Sequence, residues 1–330
     1  MTKFLRSHRT VAACLAGLAL AALPSLAPAQ VAPGGNLTRI VVGFPPGQTI
    51  DIIARAYAAA LSKELNTTVV VDNRPGANSI LAAVEVKRAA PDGKTLLFAG
   101  SGPLAINPSL YKSLPYEPKD FAPVSLVSSG PMILAATPSF QPNNIAELIA
   151  YAKARPGEVN YGSGGVGITG HLGMELLQDA AGIKLNHVPY KGSPAALTDL
   201  MAGRVSLMMD TSTALLPHVQ SGRVKALGMS ASERNPAFPE IATISEQGVK
   251  GFEVIAWAAV VVRAGTPDPV IATLNAAVQR AAKNSAVVDS IKKAGADNIV
   301  STPQQLGTLW QSEIKSWAKA VARSGVQLDN

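Results

Sequence analysis

Two glycine-bearing turns hold the residues best placed to do chemistry. The first runs Phe44-Pro45-Pro46-Gly47-Gln48-Thr49-Ile50-Asp51. The second runs Tyr161-Gly162-Ser163-Gly164-Gly165-Val166-Gly167-Ile168-Thr169-Gly170-His171. Each follows a short apolar run and precedes apolar residues at helical spacing. A turn so placed brings the N–H groups of a helix N-terminus to the carboxyl end of a strand, which suits an anion. An ordinary strand-to-helix turn uses the same residue types, so neither loop names a ligand. Gly165, Gly167 and Gly170 also match the G-x-G-x-x-G spacing of a dinucleotide loop. That reading needs an acid at the end of the next strand to hold a ribose. The chain has His187-Val188-Pro189-Tyr190-Lys191 there. The loop is therefore read as an amide-rich anion cradle, to which Ser163 and Thr169 add hydroxyl donors.

Other chemistries find less support. Ser101 and Ser163 lie among glycines, but neither fits G-x-S-x-G. Beyond residue 29 the histidines are His171, His187 and His218. None is spaced as H-x-x-x-H, so no metal site is expected. His171 follows the glycine loop, where it can either meet a ligand or pack locally. Asp51 and Asp210 follow apolar runs near strand ends. Each suits orienting a loop or binding a ligand hydroxyl or amine, and nothing in their spacing pairs them as catalytic carboxylates.

These loops need strands and helices to hold them. Ile40–Val42, Val69–Val71 and Thr95–Ala99 read as strands, with helices over 52–61 and 79–90 between them. Alternation of this kind builds parallel strand–helix–strand units. Residues 104–123, rich in proline and tyrosine, read as a long surface connection, and Val124–Val127 and Met132–Ala136 as two strands. After a helix at Ile145–Ala154, a second round runs through strand 159–161, helix 169–181, strand 185–188, helix 194–202, strand 205–209, helix 214–221 and strand 224–229. Residues 234–251 read as irregular, with one helical turn near Ile244–Gln247. An apolar run at Val254–Val262 and helices over 267–284 and 303–323 complete the chain, with Trp310 and Trp317 on a core face. The simplest assembly is two α/β lobes joined by two crossovers, with a cleft between.

The chain opens with Lys3, Arg6 and Arg9, an apolar run from Val11 to Leu23, and Ala27-Pro28-Ala29. This is the pattern of a secretory signal peptide cut after Ala29. Its removal takes three basic residues and no acids, leaving 26 basic against 22 acidic residues and lowering the net charge from +7 to +4. Such a mild excess, without basic runs, points to small anions rather than nucleic acid. Cys14 is the only cysteine, so the processed chain has neither disulfides nor thiolate metal ligands. No cofactor is expected. An exported α/β enzyme is the rival class, and it would need a nucleophile–base pair or metal ligands.

Six stretches taken together resemble the substrate-binding proteins of tripartite tricarboxylate transporters, the Bug-type periplasmic receptors. They are IVVGFPPGQTIDIIAR (40–55), VVVDNRPGANS (69–79), APDGKTLLFAG (90–100), INPSLYKSLPYEPKDFAPVSLV (106–127), LNHVPYKGSPAALTDLMAGRVSLMMD (185–210) and AGTPDPVIATLNAA (264–277). The resemblance runs from about Arg39 to Gly325. It implies a two-lobed α/β periplasmic binding protein of the type II kind, each lobe a mainly parallel sheet flanked by helices. Residues 30–132 and 255–330 would form one lobe and 133–254 the other. It further implies a non-catalytic, monomeric receptor that closes on a small organic carboxylate and delivers it to the membrane subunits of such a transporter. A sensor presenting the ligand to a signalling partner would use the same receptor. Carried onto this chain, the ligand residues would be Phe44, Gly47, Gln48, Thr49, Asp51 and Ser101 from one lobe. Ser163, Gly164, Gly165, Gly167, Thr169, His171, Tyr190 and Asp210 would face them from the other. Gln48-Thr49-Ile50 and Gly100-Ser101-Gly102-Pro103-Leu104 depart from the commonest family pattern, and both flank the expected cleft.

Overall fold

The computed structural model describes residues 37–236, 238–293 and 295–329. The signal-peptide expectation lies outside these residues. The order of elements explains how the two glycine loops come to face each other. Strand β1 (Leu37–Val42) leads through the first loop into helix α1 (Thr49–Glu64), then come β2 (Thr68–Asn73), α2 (Ile80–Arg88) and β3 (Thr95–Gly100). β1 lies between β2 and β3, parallel to both. Ile40 and Val42 point to one face and Val41 to the other, and all three are fully buried. Burial on both faces is the reason a continuous apolar run, not an alternating one, marks this strand.

Of the surface connection expected over 104–123, residues 104–110 are instead mostly buried, while 111–120 lie largely at the surface. A π-helical turn at Gly102–Ile106 runs into the short helix α3 (Asn107–Leu110). Leu104, Ile106, Leu110 and Tyr116 are buried there. The Tyr116 hydroxyl donates to the Pro103 carbonyl at 2.6 Å and receives the Asn107 amide at 3.1 Å. Tyr116 is thus part of an internally bonded plug with Pro103 and Asn107, while Pro115 stays exposed.

The two strands expected between 124 and 136 are one, β4 (Phe121–Ala136). It pairs antiparallel with β9 (Ile255–Arg263) through Pro131, and from Met132 onward with β7 (Leu207–Thr211) and β8 (Lys225–Met229). Pro131, which has no N–H for a ladder, stands where the strand exchanges partners. Beyond β4 come α4 (Ile145–Ala154), β5 (Asn160–Ser163), α5 (Thr169–Ala181), β6 (Asn186–Pro189), α6 (Ser193–Met201) and, after β7, α7 (Ser212–Gln220). β5 lies parallel to both β6 and β7. The sheet order is β2-β1-β3-β9-β4-β7-β5-β6, with β8 beside β4.

Helices α8 (Asp268–Ala281), α9 (Ser285–Lys293) and α10 (Pro303–Ser324) close the chain. The sequence reading has no helix at 285–293, and Ile244–Gln247 forms a turn rather than a helix. α1, α8 and α9 cover one face of the first half of the sheet with Tyr57, Leu61, Val278, Val287 and Ile291. On the other face one core runs from Val41 and Leu97, under Trp310 and Trp317 of α10, to Leu134, Leu172 and Leu207 of the second half. Full burial of each such side chain contributes about 1.5–3 kcal/mol. The indoles of Trp257 and Trp317 both donate to Glu313 Oε2, at 3.0 and 2.8 Å.

Candidate anion site between two glycine loops

The first loop is shaped by its own acid. Asp51, buried in the first turn of α1, accepts the Gly47 N–H at 2.8 Å and Arg55 Nε at 3.0 Å on Oδ2. Its Oδ1 accepts Asn73 Nδ2 at 2.8 Å, and that same amide reaches the Phe44 carbonyl at 3.0 Å. Burial alone would raise this carboxyl; the bonds from Arg55, Gly47 and Asn73 outweigh it and hold Asp51 below its ordinary value. Asp51 therefore organises the loop, and Gly47 contributes shape rather than a free donor.

A neighbouring turn buttresses it. Ala77, Asn78 and Ser79 all take left-handed angles, with φ of 44°, 50° and 67°. Three such non-glycine residues in a row are costly. Their side chains supply compensation: Ser79 Oγ donates to the Gly43 carbonyl at 3.1 Å, and Asn78 exchanges two bonds with Asn107. At Gly43 an added Cβ would lie 2.3 Å from Ser79 Cβ, so only glycine admits this contact. Nothing in residue type or spacing marks Asn78 and Ser79 in the sequence.

The second loop rests on a buried aromatic stack. The rings of Tyr161 and His187 lie 4.8 Å apart, and those of His187 and His171 lie 4.0 Å apart. Gly167 N–H donates to His171 Nδ1 at 3.0 Å, so His171 bonds the loop itself. Ser163 Oγ sits 2.6 Å from His187 Nε2 and also engages both the N–H and the carbonyl of Gly165. This is the distance of a nucleophile–base pair. Ser163, however, is only 1% exposed, and the nearby Glu175 Oε1 is bonded to Tyr161 and Gln178 rather than orienting His187. Burial pushes both imidazoles down to about 4; for His187 the adjacent His171 adds to this and Glu175 opposes it. Both rings are therefore neutral at pH 7. The sequence reading passes over His187, whose only signal is its place in the strand that follows the glycine loop, where it pairs with Tyr161.

Contacts join the two halves of the sheet. Ser101 Oγ, just past β3, lies 3.0 Å from Thr169 Oγ1 at the start of α5. Gly167 packs against Leu110 of α3, and the Gln48 amide lies against Gly192 ahead of α6. Phe44, Gln48 and Thr49 are half-buried around these contacts, as are Gly164 and Gly165. Tyr190 closes one side: its hydroxyl donates to Asp199 at 2.7 Å, and its N–H to the Ser163 carbonyl at 2.9 Å. Asp210 accepts the Thr211 N–H on Oδ1, while Oδ2 has no hydrogen-bond partner among the described residues. Burial raises its carboxyl, and the nearby Ser193 hydroxyl and Thr211 partly offset this.

Helix ends supply the electrostatics. α4, α7 and α10 begin under side-chain caps from Asn144, Thr211 and Thr302. α1, α5 and α6 begin at Gln48, Ile168 and Gly192 with no side-chain cap bond. The first N–H groups of a helix have no acceptor within it, so the starts of α1 and α5 offer donors and positive dipole ends beside the loops they follow. α6, with Pro194 in its first turn, has fewer donors, and α2, α3 and α8 also begin without a side-chain cap. Such an arrangement can hold an anion without a basic side chain. A groove of about 330 Å³, lined by residues that include Thr38, Asp92, Val270 and Leu274, lies instead at the amino end of the first strands and gathers no comparable set of donors. No group of three or more potential metal ligands occurs among the described residues.

Comparison with known proteins gives this geometry a context. The model of the tripartite tricarboxylate transporter family receptor matches residues 53–326. Protein BugT of Bordetella pertussis is 37% identical over 292 residues, covering 88% of this chain and 90% of BugT. The solved periplasmic binding protein BugD superposes with a TM-score of 0.80 at 34% identity, over 89% of this chain and 99% of BugD. MatC from Rhodopseudomonas palustris, solved with bound malate, gives 0.78 at 34% identity over 86% and 99% of the two chains. The fold is that of the mixed α/β periplasmic binding proteins.

Proposed function

The chain belongs to the tripartite tricarboxylate transporter receptor family, and from that premise we propose that it captures a small organic carboxylate in the periplasm and hands it to a transporter of the tripartite tricarboxylate type. The observation that carries this reading is that two helix N-termini without side-chain caps reach across the halves of the sheet, that of α1 with Gln48 against Gly192 and that of α5 with Thr169 against Ser101. A carboxylate between them accepts charge-assisted hydrogen bonds from both, and can do so only while the halves are together. Binding energy then favours closure. In this proposal residues 30–132 with 255–330 form one lobe, residues 133–254 form the other, and β4 and β9 are the connections that flex. The N–H groups of Thr49, Ile50, Thr169 and Gly170, with the hydroxyls of Thr49, Ser101 and Thr169, are the ligand donors. Gln48, Gly164, Tyr190 and Asp210 border the ligand, and Ser163, His171 and Asp51 hold the loops. Residues 1–29 act as a cleaved export signal. The protein acts as a monomer and turns nothing over. Malate in MatC supports the carboxylate class.

Calorimetry on the exported protein tests the proposal, titrating a panel of mono-, di- and tricarboxylates against their amide or ester analogues. Thr49→Ala and Thr169→Ala should each weaken the best carboxylate about tenfold, while Thr308→Ala on the exposed face of α10 should not. Equal binding of the uncharged analogue would sink the idea.

A further inference from the structure

The second glycine loop is held by buried side chains that bond its own backbone. Gly167 donates its N–H to His171 Nδ1 at 3.0 Å. A ring nitrogen that accepts a hydrogen bond carries no proton, so in neutral His171 the proton sits on Nε2. The opposite tautomer, like the imidazolium, would set two hydrogens against each other at that distance. His171 is 2% exposed, and its Nε2 faces Glu175 Oε1 at 3.9 Å. This is too long for a direct hydrogen bond, but close for a partial charge facing a carboxylate in a buried setting. Glu175 is itself fixed: Oε1 accepts the Tyr161 hydroxyl at 2.5 Å and Gln178 Nε2 at 2.8 Å. Gln178 in turn accepts the Leu185 N–H at 2.7 Å. His187, stacked on His171, and Tyr161 are the other titratable rings packed against it.

We propose that Glu175 is a positioning residue for the anion site: it fixes His171 as the Nε2–H tautomer, and His171 thereby pins Gly167 and sets the direction in which residues 164–170 present their remaining donors. His171 is the third residue of α5, and Gly167 precedes its N-cap. The bond thus resembles the backward reach of a capping box, with an imidazole one residue further upstream. Gly167 has φ of +79°, a conformation that several loops could exploit, and the His171 bond selects one of them. The consequence for ligands rests on the receptor reading above; the relay itself does not.

The test is nuclear magnetic resonance on ¹⁵N-labelled full-length mature protein at pH 7, with Glu175→Gln, His171→Gln and His171→Leu variants. Wild type should show His171 with Nε2 protonated and Nδ1 bare, and a Gly167 N–H protected from exchange. Glu175→Gln keeps the shape and an acceptor for Tyr161 but removes the charge. It should mix the His171 tautomers and speed Gly167 exchange about tenfold or more while the melting temperature stays near wild type. His171→Gln, which retains an acceptor, should preserve Gly167 protection that His171→Leu loses. Finding Nδ1 protonated in wild type, or wild-type tautomer and exchange in Glu175→Gln, overturns the proposal. Malate, succinate and citrate are then titrated. Weaker binding of any of them in Glu175→Gln supports the positioning role, and unchanged binding despite a loosened Gly167 overturns it. A wild type that binds none of the three counts against the receptor reading and not the relay, whose ring and amide measurements need no ligand.

Discussion

The hydroxyls of Ser101 and Thr169, 68 residues apart in the chain, meet at 3.0 Å and join the end of β3 to the start of α5. One carries the proton to the other, so a direct bond bridges the two halves of the sheet. A neutral hydrogen bond of this kind contributes about 0.5–1.5 kcal/mol. Ser101→Ala should therefore weaken a ligand that requires closure by roughly two- to tenfold. The effect should fall mainly on the dissociation rate, measured by stopped flow. An unchanged dissociation rate would show that the bridge is incidental to closure.

Gly167 is the tightest point of the same junction. Its φ is +79°, and a Cβ there would lie 2.0 Å from Leu110 Cδ2. Gly167→Ala faces both a backbone penalty of about 1–2 kcal/mol and a clash across the halves. We expect ligand affinity to fall by more than tenfold, and the added change Leu110→Ala to restore part of it by removing the clash but not the backbone term. Calorimetry on both variants decides this. A double variant no better than Gly167→Ala would place the whole cost in the loop.

Local patterns were the legible part of the fold. Helix α5 spans Thr169–Ala181, as its apolar spacing and the following Gly182 indicate, and the glycine loops stand at strand ends as read. What escaped the reading was set by partners distant in sequence. β4 looked like two strands because Ser128-Ser129-Gly130-Pro131 interrupts its apolar run, yet β9 pairs with it through that interruption. α9 is short, and its burial rests on Val287 and Ile291 meeting α1, which a nine-residue pattern does not announce. At the site, the position of both glycine loops between a strand and a helix was legible. The bonding of Asp51 to Gly47 and of His171 to Gly167 was not, because residue type alone does not say whether a polar side chain faces a ligand or its own loop.

Asp51→Asn tests the first of these bonds. The change keeps one acceptor but turns an amide either toward the Gly47 N–H and Arg55 guanidinium, which share Oδ2, or toward the Asn73 amide on the other side, so a donor faces a donor. Arg55 is half exposed, and its share is reduced by solvent. The Gly47 and Asn73 bonds carry most of the effect, for a loss of about 1–2 kcal/mol. Chemical denaturation should show this at neutral pH. Because Asp51 is held below its ordinary value of 3.8, its contribution is complete above that value and fades as pH falls through the folded value. The difference between wild type and Asp51→Asn should accordingly shrink in strong acid, and a difference that stays constant would remove the charge from the explanation.

The two stacked imidazoles give the protein a pH dependence in mild acid. In the unfolded chain each histidine takes up a proton near pH 6.5, whereas in the folded chain each does so only near 4. Between these values the unfolded state binds more protons, so stability rises with pH there, by up to about 1.4 kcal/mol per pH unit for each ring. The contribution is complete above pH 6.5 and is lost as the pH falls toward 4. Other groups carry shifts of their own. His218 is lowered by burial and by Arg223, and Asp210, raised by burial, acts in the opposite sense. The comparison is therefore made within one chain background. Urea unfolding of wild type and of His171→Gln/His187→Gln should be measured at half-unit steps from pH 4.5 to 7.5. The wild type should gain stability on the double variant steadily up to about pH 6.5, and the difference should then level. Parallel curves across the whole range would mean that neither ring resists protonation in the folded protein, and that the Gly167–His171 bond does not require a neutral ring.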